Sequence, residues 1–456
     1  MVDTIAAIAT GGTVSAIGII RMSGNEAIAI ADKVFRAHGG TSLLDARDRQ
    51  MYYGELVSLD GNLIDLVLCM ISRGPNSYTG EDTAEFQCHG SPLVLSEVLK
   101  TLFSLGARQA LQGEFTKRAF LNGRLDLVQA EAVIDLIESE TLPAAHNAAG
   151  QLRGAVGIKL DAVYASLVDV ISHFHAVIDY PDEDIGEFEL QNYLSSLQGA
   201  KDELERLLST HERGKIMLSG VPTAIIGRPN TGKSSLLNAL LGYERAIVTD
   251  IPGTTRDTIE ERVMFGGVLL RLIDTAGLRQ TDDVVEKLGV ERTRLALDDA
   301  KLAILVIDGS EPLREEDYDA LRSIPENIPK VAVINKSDLP AEADIEDLDK
   351  SGLDFVRISA KSGEGLNDLD DKIKVLFPEL EISATGEIIT NSRQSEAIMR
   401  AVNCVTAAID SMASAMTPDA VVVDIEAALS AIGEVTGKTM REDIISRIFE
   451  RFCVGK

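Results

Sequence analysis

Gly227-Arg-Pro-Asn-Thr-Gly-Lys-Ser234 follows a β-like apolar run, Ala224–Ile226, and precedes a helical one. That pattern is a P-loop: glycines let backbone N–H groups close around phosphates, Lys233 brings a point charge to them, and Ser234 offers a hydroxyl to Mg²⁺. Further motifs follow in order. Asp274-Thr-Ala-Gly277 comes after the apolar run Leu269–Ile273, where a Walker-B-type carboxylate should end a strand. Asp274 is suited to hold Mg²⁺ through water, and Gly277 to offer its N–H to the γ-phosphate. Asn335-Lys-Ser-Asp338 comes after Val331–Ile334. A carboxylate at Asp338 accepts from guanine N1–H and N2–H, a donor pair that adenine lacks, so the motif selects GTP. Ser359-Ala-Lys361 follows Phe355–Ile358, as expected of a loop that backs the base.

Between Lys233 and Asp274 lies Thr249-Asp-Ile-Pro-Gly-Thr-Thr-Arg-Asp257, whose Thr254 and Thr255 are candidate switch ligands for Mg²⁺. The expected GTP-contacting set is Asn230, Thr231, Gly232, Lys233, Ser234, Ser235, Thr249, Asp250, Ile251, Pro252, Gly253, Thr254, Thr255, Asp274, Thr275, Ala276, Gly277, Asn335, Lys336, Asp338, Ser359, Ala360 and Lys361. Ser234 and Thr255 are the expected Mg²⁺ ligands. After Gly277 many small GTPases carry a Gln that orients water, whereas here stands Leu278, which neither donates nor accepts. No arginine finger is evident either. Another group must position water, and Asp282-Asp-Val-Val-Glu286 offers carboxylates nearby.

Working outward, short apolar runs alternate with helical patterns over roughly 216–381, which predicts an inserted Ras-like P-loop GTPase domain with a mostly parallel, doubly wound sheet. Residues 1–118 are mixed: β-like runs at Ala16–Arg21, Leu63–Ile71 and Ala84–Cys88, and a helical Pro92–Leu105. Residues 119–215 and 382–456 read as helical, and Ile444, Ile448 and Phe452, spaced by four, are expected to line one face. Helices on both sides of an α/β block favour one helical domain interrupted by an insertion over two separate ones, because short helix sets rarely bury enough surface alone. The class is therefore multidomain α/β.

The 456 residues carry a formal charge of −28, no Trp and four scattered cysteines. Such acidity disfavours general nucleic-acid binding; RNA contact would need a restricted basic patch or a basic partner. No apolar run reaches bilayer length, the start lacks a basic signal-type region, and neither the cysteines nor the six histidines show metal spacing, so a reducing cytoplasm is expected.

At this point the chain resembles the MnmE (TrmE) tRNA-modification GTPases. The resemblance rests on Asp3-Thr-Ile-Ala-Ala-Ile-Ala-Thr10, Ile17-Gly-Ile-Ile-Arg21, Gly74-Pro-Asn-Ser-Tyr-Thr-Gly-Glu-Asp82, Gly113-Glu-Phe-Thr-Lys-Arg-Ala-Phe120, Asn122-Gly-Arg-Leu-Asp-Leu-Val-Gln-Ala-Glu-Ala132 and the ending Phe452-Cys-Val-Gly-Lys456. It departs at Gly11–Ala16, where the family has a Pro- and Gly-rich turn, and at His89-Gly-Ser91, where the family has His-Gly-Gly. The resemblance implies a homodimer joined through an N-terminal α+β folate-binding domain. It also implies an FAD-dependent MnmG-type partner in a heterotetramer, and a tRNA substrate modified at C5 of its wobble uridine. Arg21, Glu81, Arg124 and Lys456 would contact 5-formyltetrahydrofolate or a related folate. Asn230, Thr249, Ile251 and Thr254 would hold K⁺, and Glu286 would position water when two G domains meet. Cys453 would be a functional thiol facing the one-carbon unit. Two other readings stand beside this one. A ribosome-assembly GTPase switch would share the P-loop but not the flanking motifs. A nucleotide-gated scaffold would hydrolyse GTP slowly, without response to K⁺.

Overall fold

The computed structural model describes residues 3–11, 13–179, 187–243, 261–273, 296–344, 353–378, 386–414, 416–450 and 452–455. The chain forms two compact units. One comprises residues 1–134, 151–200 and 400–456, the other 135–150 and 201–399.

In the first unit, seven strands form one sheet: β1 (Ile5–Ile8), β2 (Ser15–Ser23), β3 (Phe35–Ala37), β4 (Met51–Val57), β5 (Leu63–Ser72), β6 (Thr83–Gly90) and β7 (Arg108–Gln109). Their order is β3-β4-β5-β6-β2-β1-β7, antiparallel except for the β1–β7 pair. Helices Ala27–Val34 and Pro92–Ser104 cover one face, burying Ile28, Val34, Leu95, Val98 and Leu102 against Ile20, Met22, Val67, Ile71 and Phe86. The other face keeps Ile17, Met51, Tyr53, Leu66 and Leu68 exposed, because alternate residues of a strand face opposite sides. The short strands β3 and β4 carry no strong alternation and were not expected from sequence.

Helices from both flanks of the inserted block belong to this first unit. Pro418–Thr436 packs along Ala155–Asp179, and Lys438 pairs with Asp161 at 2.7 Å. Of the expected apolar stripe Ile444–Ile448–Phe452, Ile448 and Phe452 pack on the helical core and Ile444 does not. The last helix, Glu442–Phe449, ends before Phe452, and its buried side chains are Ile445 and Phe449. With Phe452 they pack on Leu127 and Ala130, while Ile444 is exposed.

In the second unit, strands β8 (Val221–Ile226), β9 (Glu261–Phe265), β10 (Val268–Leu272), β11 (Leu302–Asp308), β12 (Lys330–Asn335) and β13 (Phe355–Arg357) form a sheet of order β13-β12-β11-β8-β10-β9. All neighbours are parallel except β9–β10. Central parallel strands are buried on both faces, which is why β11 reads as an unbroken apolar run. Its residues alternate between two cores. Leu302, Ile304 and Val306 enter one with Leu236, Leu369 and Ile373; Ala303, Leu305 and Ile307 enter the other with Ile324 and Ile328. This is the doubly wound architecture, and it brings the carboxyl ends of β8, β11 and β12 to one edge.

Candidate active site

The P-loop leaves β8 at Ile226 and enters the helix Lys233–Tyr243. Asn230 adopts a left-handed backbone with φ 64°, a conformation Asn tolerates better than most residues. Lys233 folds its ammonium onto the loop, Nζ donating to the carbonyls of Gly227 at 2.9 Å and Arg228 at 2.7 Å. Burial, then the nearby Arg228 charge, push its pKa down to about 8. Ser234 opens the helix half-buried beside exposed Ser235. Thr231 is buried, its hydroxyl donating to the Arg228 carbonyl at 3.1 Å.

The loop after β12 lies against the P-loop. Asn335 is buried; its Nδ2 donates to the Thr231 carbonyl at 2.9 Å and its Oδ1 accepts from Ala360 N–H at 3.0 Å. That crossing needs a glycine next door: at Gly232, φ 98°, a Cβ would stand 2.1 Å from Asn335 Nδ2. Asp338 is exposed, and its Oδ1 accepts from Ser359 Oγ at 2.8 Å. Lys336 takes φ 66° and pairs with Asp308 at 2.6 Å. Lys361 is exposed beyond Ala360. Backbone N–H groups, an ammonium and an outward carboxylate thus share the carboxyl edge, a set suited to a nucleotide's phosphates and base.

A second polar cluster lies in the first unit. Arg21 and Ser23 point to the same side of β2. Arg21 pairs with Glu85 at 2.6 Å, its guanidinium 5.6 Å from the Tyr78 ring centre and 5.8 Å from that of Phe115. Ser23 Oγ donates to Glu81 Oε2 at 2.7 Å, and Arg118 Nη1 donates to the same oxygen at 3.0 Å. Arg118 is buried and also donates to Glu114 at 3.0 Å. Arg124 is exposed, its Cγ 3.4 Å from where a Cβ on Gly80 would stand. The chain's end returns to the same domain. Gln112 and Val454 form an antiparallel bridge, and Gly113 N–H donates to the Cys453 carbonyl at 3.3 Å. Gly455, φ 96°, fits where a Cβ would stand 2.2 Å from the Ile8 carbonyl. Cys453 is exposed.

Comparison with known proteins gives this layout its relatives. A family profile described as the MnmE helical domain matches residues 127–453, and one described as the GTP-binding protein TrmE N-terminus matches residues 4–124. The chain belongs to the MnmE family of tRNA modification GTPases. Three curated proteins titled tRNA modification GTPase MnmE illustrate the distance. Those of Thermoanaerobacter pseudethanolicus, Clostridioides difficile and Symbiobacterium thermophilum are 43%, 41% and 42% identical, each over 100% of this chain and 99% of the relative. The chain is thus a GTP hydrolase of tRNA modification, and the family binds GTP.

Within this MnmE-family chain, the structure brings together Asn230 to Ser235 with Asn335, Lys336, Asp338, Ser359, Ala360 and Lys361 in one unit, and Arg21, Glu81 and Arg124 in the other. Thr249, Asp250, Ile251, Pro252, Gly253, Thr254, Thr255, Asp274, Thr275, Ala276, Gly277, Glu286 and Lys456 lie outside the described residues. Sequence reading passed over Tyr78, Phe115, Arg118, Arg228 and Asp308. The first four sit inside quoted motifs, yet the pairing of Tyr78 and Phe115 with Arg21, of Arg118 with Glu81 and of Arg228 with Glu311 spans distances along the chain that no local pattern reveals. Among the described residues no group of three or more His, Cys, Asp or Glu is placed to hold a metal, and no helix is long and apolar enough to cross a membrane.

Proposed function

We propose that this GTPase is activated by potassium, works as a cytoplasmic homodimer with an FAD-dependent MnmG-type partner, and builds an aminomethyl or carboxymethylaminomethyl group at C5 of the wobble uridine of certain tRNAs from a folate one-carbon unit. The observation that carries this reading is the return of the terminal peptide: Cys453 is tied to Gly113, at the start of the helix that also holds Glu114 and Arg118. A thiol and an arginine–carboxylate cluster on one domain suit a one-carbon carrier. Tyr78 and Phe115 beside Arg21 suit its flat ring system, and Arg124 and Lys456 its anionic tail. Arg118 holds the Glu81 carboxylate in place by a charged hydrogen bond.

In the G domain, Lys233 and the P-loop N–H groups bind the phosphates, Ser234 and Thr255 would hold Mg²⁺, and Asp338 reads the base. Asn230, with the carbonyls of Thr249, Ile251 and Thr254, would hold K⁺. Such a cation would supply the positive charge that an arginine finger supplies elsewhere. The exposed Asn230 at the loop's crest fits that ligand role. Glu286 orients the water that Leu278 cannot. The exposed apolar sheet face of Ile17, Met51, Tyr53, Leu66 and Leu68 supports dimerisation through the N-terminal domain.

The test is nucleoside analysis of tRNA from cells lacking the protein. Loss of the C5 modification at wobble uridines is expected, and unchanged nucleosides would remove the reading. In a parallel assay K⁺ should stimulate hydrolysis at least about tenfold over Na⁺, and Asn230→Ala should erase the difference. Equal rates in the two salts at matched ionic strength would dismiss the cation.

A further inference from the structure

Two charged contacts from different loops converge on four residues at the end of β11, Asp308 to Glu311. At one end, Asp308 is buried and accepts from Lys336 Nζ at 2.6 Å, from Ser310 N–H at 3.0 Å and from Ser310 Oγ at 2.7 Å. Burial alone would raise its pKa, yet the Lys336 and Ser310 hydrogen bonds hold it below the ordinary carboxylate value, so the group is charged. Gly309 N–H donates to the Asn335 carbonyl at 2.8 Å, and the Gly309 carbonyl accepts from Glu342 N–H at 3.0 Å. At the other end, Glu311 pairs with Arg228 Nη2 at 2.7 Å, and Asp317 lies 3.3 Å from Arg228 Nε. Arg228 is itself a P-loop residue, almost wholly buried, and its carbonyl receives both Lys233 Nζ and Thr231 Oγ1.

Neither ion pair is part of the strand ladder: both run through side chains, from Asp308 at the last position of β11 and from Glu311 beyond it. Lys336 is moreover held at φ 66°, a conformation that costs a non-glycine residue energy and persists only where its surroundings enforce it. Its fixed partner is Asp308.

We infer that Asp308–Glu311 is a strap that sets the spacing between the base loop and the phosphate loop, with Asp308 and Arg228 as positioning residues for the bound nucleotide. The inference rests on the assignment of Asn335–Asp338 to guanine. Its two ends act differently. Asp308 orients the base loop through Lys336, so losing its charge falls on base selectivity. Glu311 and Asp317 hold the P-loop through Arg228, so losing Glu311 falls on every nucleotide alike.

The experiment titrates GDP, IDP and XDP against the full-length protein and its variants. IDP lacks the 2-amino donor, so the GDP-to-IDP ratio reports how well the base loop reads guanine. Asp308→Asn should weaken GDP about tenfold and shrink that ratio at least about threefold. Glu311→Gln should weaken GDP and IDP by a similar factor, about threefold, and leave the ratio unchanged. A merely structural role would lower thermal stability without moving the ratio. Asp338→Asn is the control and should exchange GDP for XDP preference. If it leaves GDP affinity unchanged, the base assignment fails, and the strap with it. If it behaves as expected while Asp308→Asn keeps wild-type affinity and ratio, the strap alone is overturned. Glu311→Gln, at a partly exposed side chain, carries the test if Asp308→Asn does not fold, and wild-type affinity there overturns the P-loop end.

Discussion

Glu114 shows how one buried side chain ties the N-terminal domain together. It accepts from Arg108 at 2.8 and 2.5 Å, from Arg118 at 3.0 Å and from Leu111 N–H at 2.8 Å. Burial would push its pKa up, but the hydrogen bonds from Arg108, Leu111 and Arg118 outweigh that and hold it below 4.5. A carboxyl depressed in the folded state contributes stability above its unfolded pKa and loses it as pH falls through the folded one. Glu114→Gln should therefore cost about 2 kcal/mol at neutral pH. The gap from wild type should close as pH drops below about 4.5. Urea midpoints measured across pH check this, and a gap independent of pH would contradict it. Leu278 leaves water without a polar partner, so a carboxylate of the following segment is expected to serve, and the family resemblance points to Glu286 among them. Glu286→Ala should keep GTP affinity and lose at least about a hundredfold in turnover. If Asp282 or Asp283 proves essential instead in single-turnover assays, the assignment within that segment is wrong.

At the scale of elements, the motifs were legible because each is a strand end plus a few following residues. An apolar run, a turn and a polar side chain are all local, so Ile226, Asn335 and the loops after them could be placed from sequence. What could not be read depends on partners far along the chain: Arg228 with Glu311, Lys336 with Asp308, Arg118 with Glu81. In the last helix the face was read one residue off at Ile444: Ile445 and Phe449 are the buried positions, and Ile448 and Phe452 pack beside them. The crossing of Asn335 over Gly232 yields a prediction at this scale. Gly232→Ala combines a left-handed φ of 98° with a Cβ 2.1 Å from Asn335 Nδ2. It should separate the two loops, lower GDP affinity at least about tenfold and cost about 1–3 kcal/mol of stability. Calorimetric titration with thermal melting checks it; wild-type affinity would mean that the loop shifts without losing its grip.

The whole molecule joins an acidic chain, −28 overall, to an activity on tRNA. Phosphate binding by such a chain needs localised positive charge or a basic partner. Its other global feature is that the chain passes twice from the first compact unit to the second and back. Phe449 and Phe452 bury against Leu127 and Ala130, and beyond them Val454 bridges to Gln112 and Gly455 lies against the Ile8 carbonyl. The helices on both sides of the α/β block were legible from their periodicity. The bridge between Val454 and Gln112 was not, because one pair of residues leaves no periodicity.

On the proposed reading the two chain ends build one site whose chemistry is separate from nucleotide hydrolysis. The decisive measurement deletes Cys453–Lys456 and titrates 5-formyltetrahydrofolate by calorimetry, with a GTPase assay on the same protein. Folate affinity should fall at least about tenfold, with hydrolysis in K⁺ within about twofold of wild type. Folate binding at wild-type strength, or hydrolysis lost along with it, would overturn that reading.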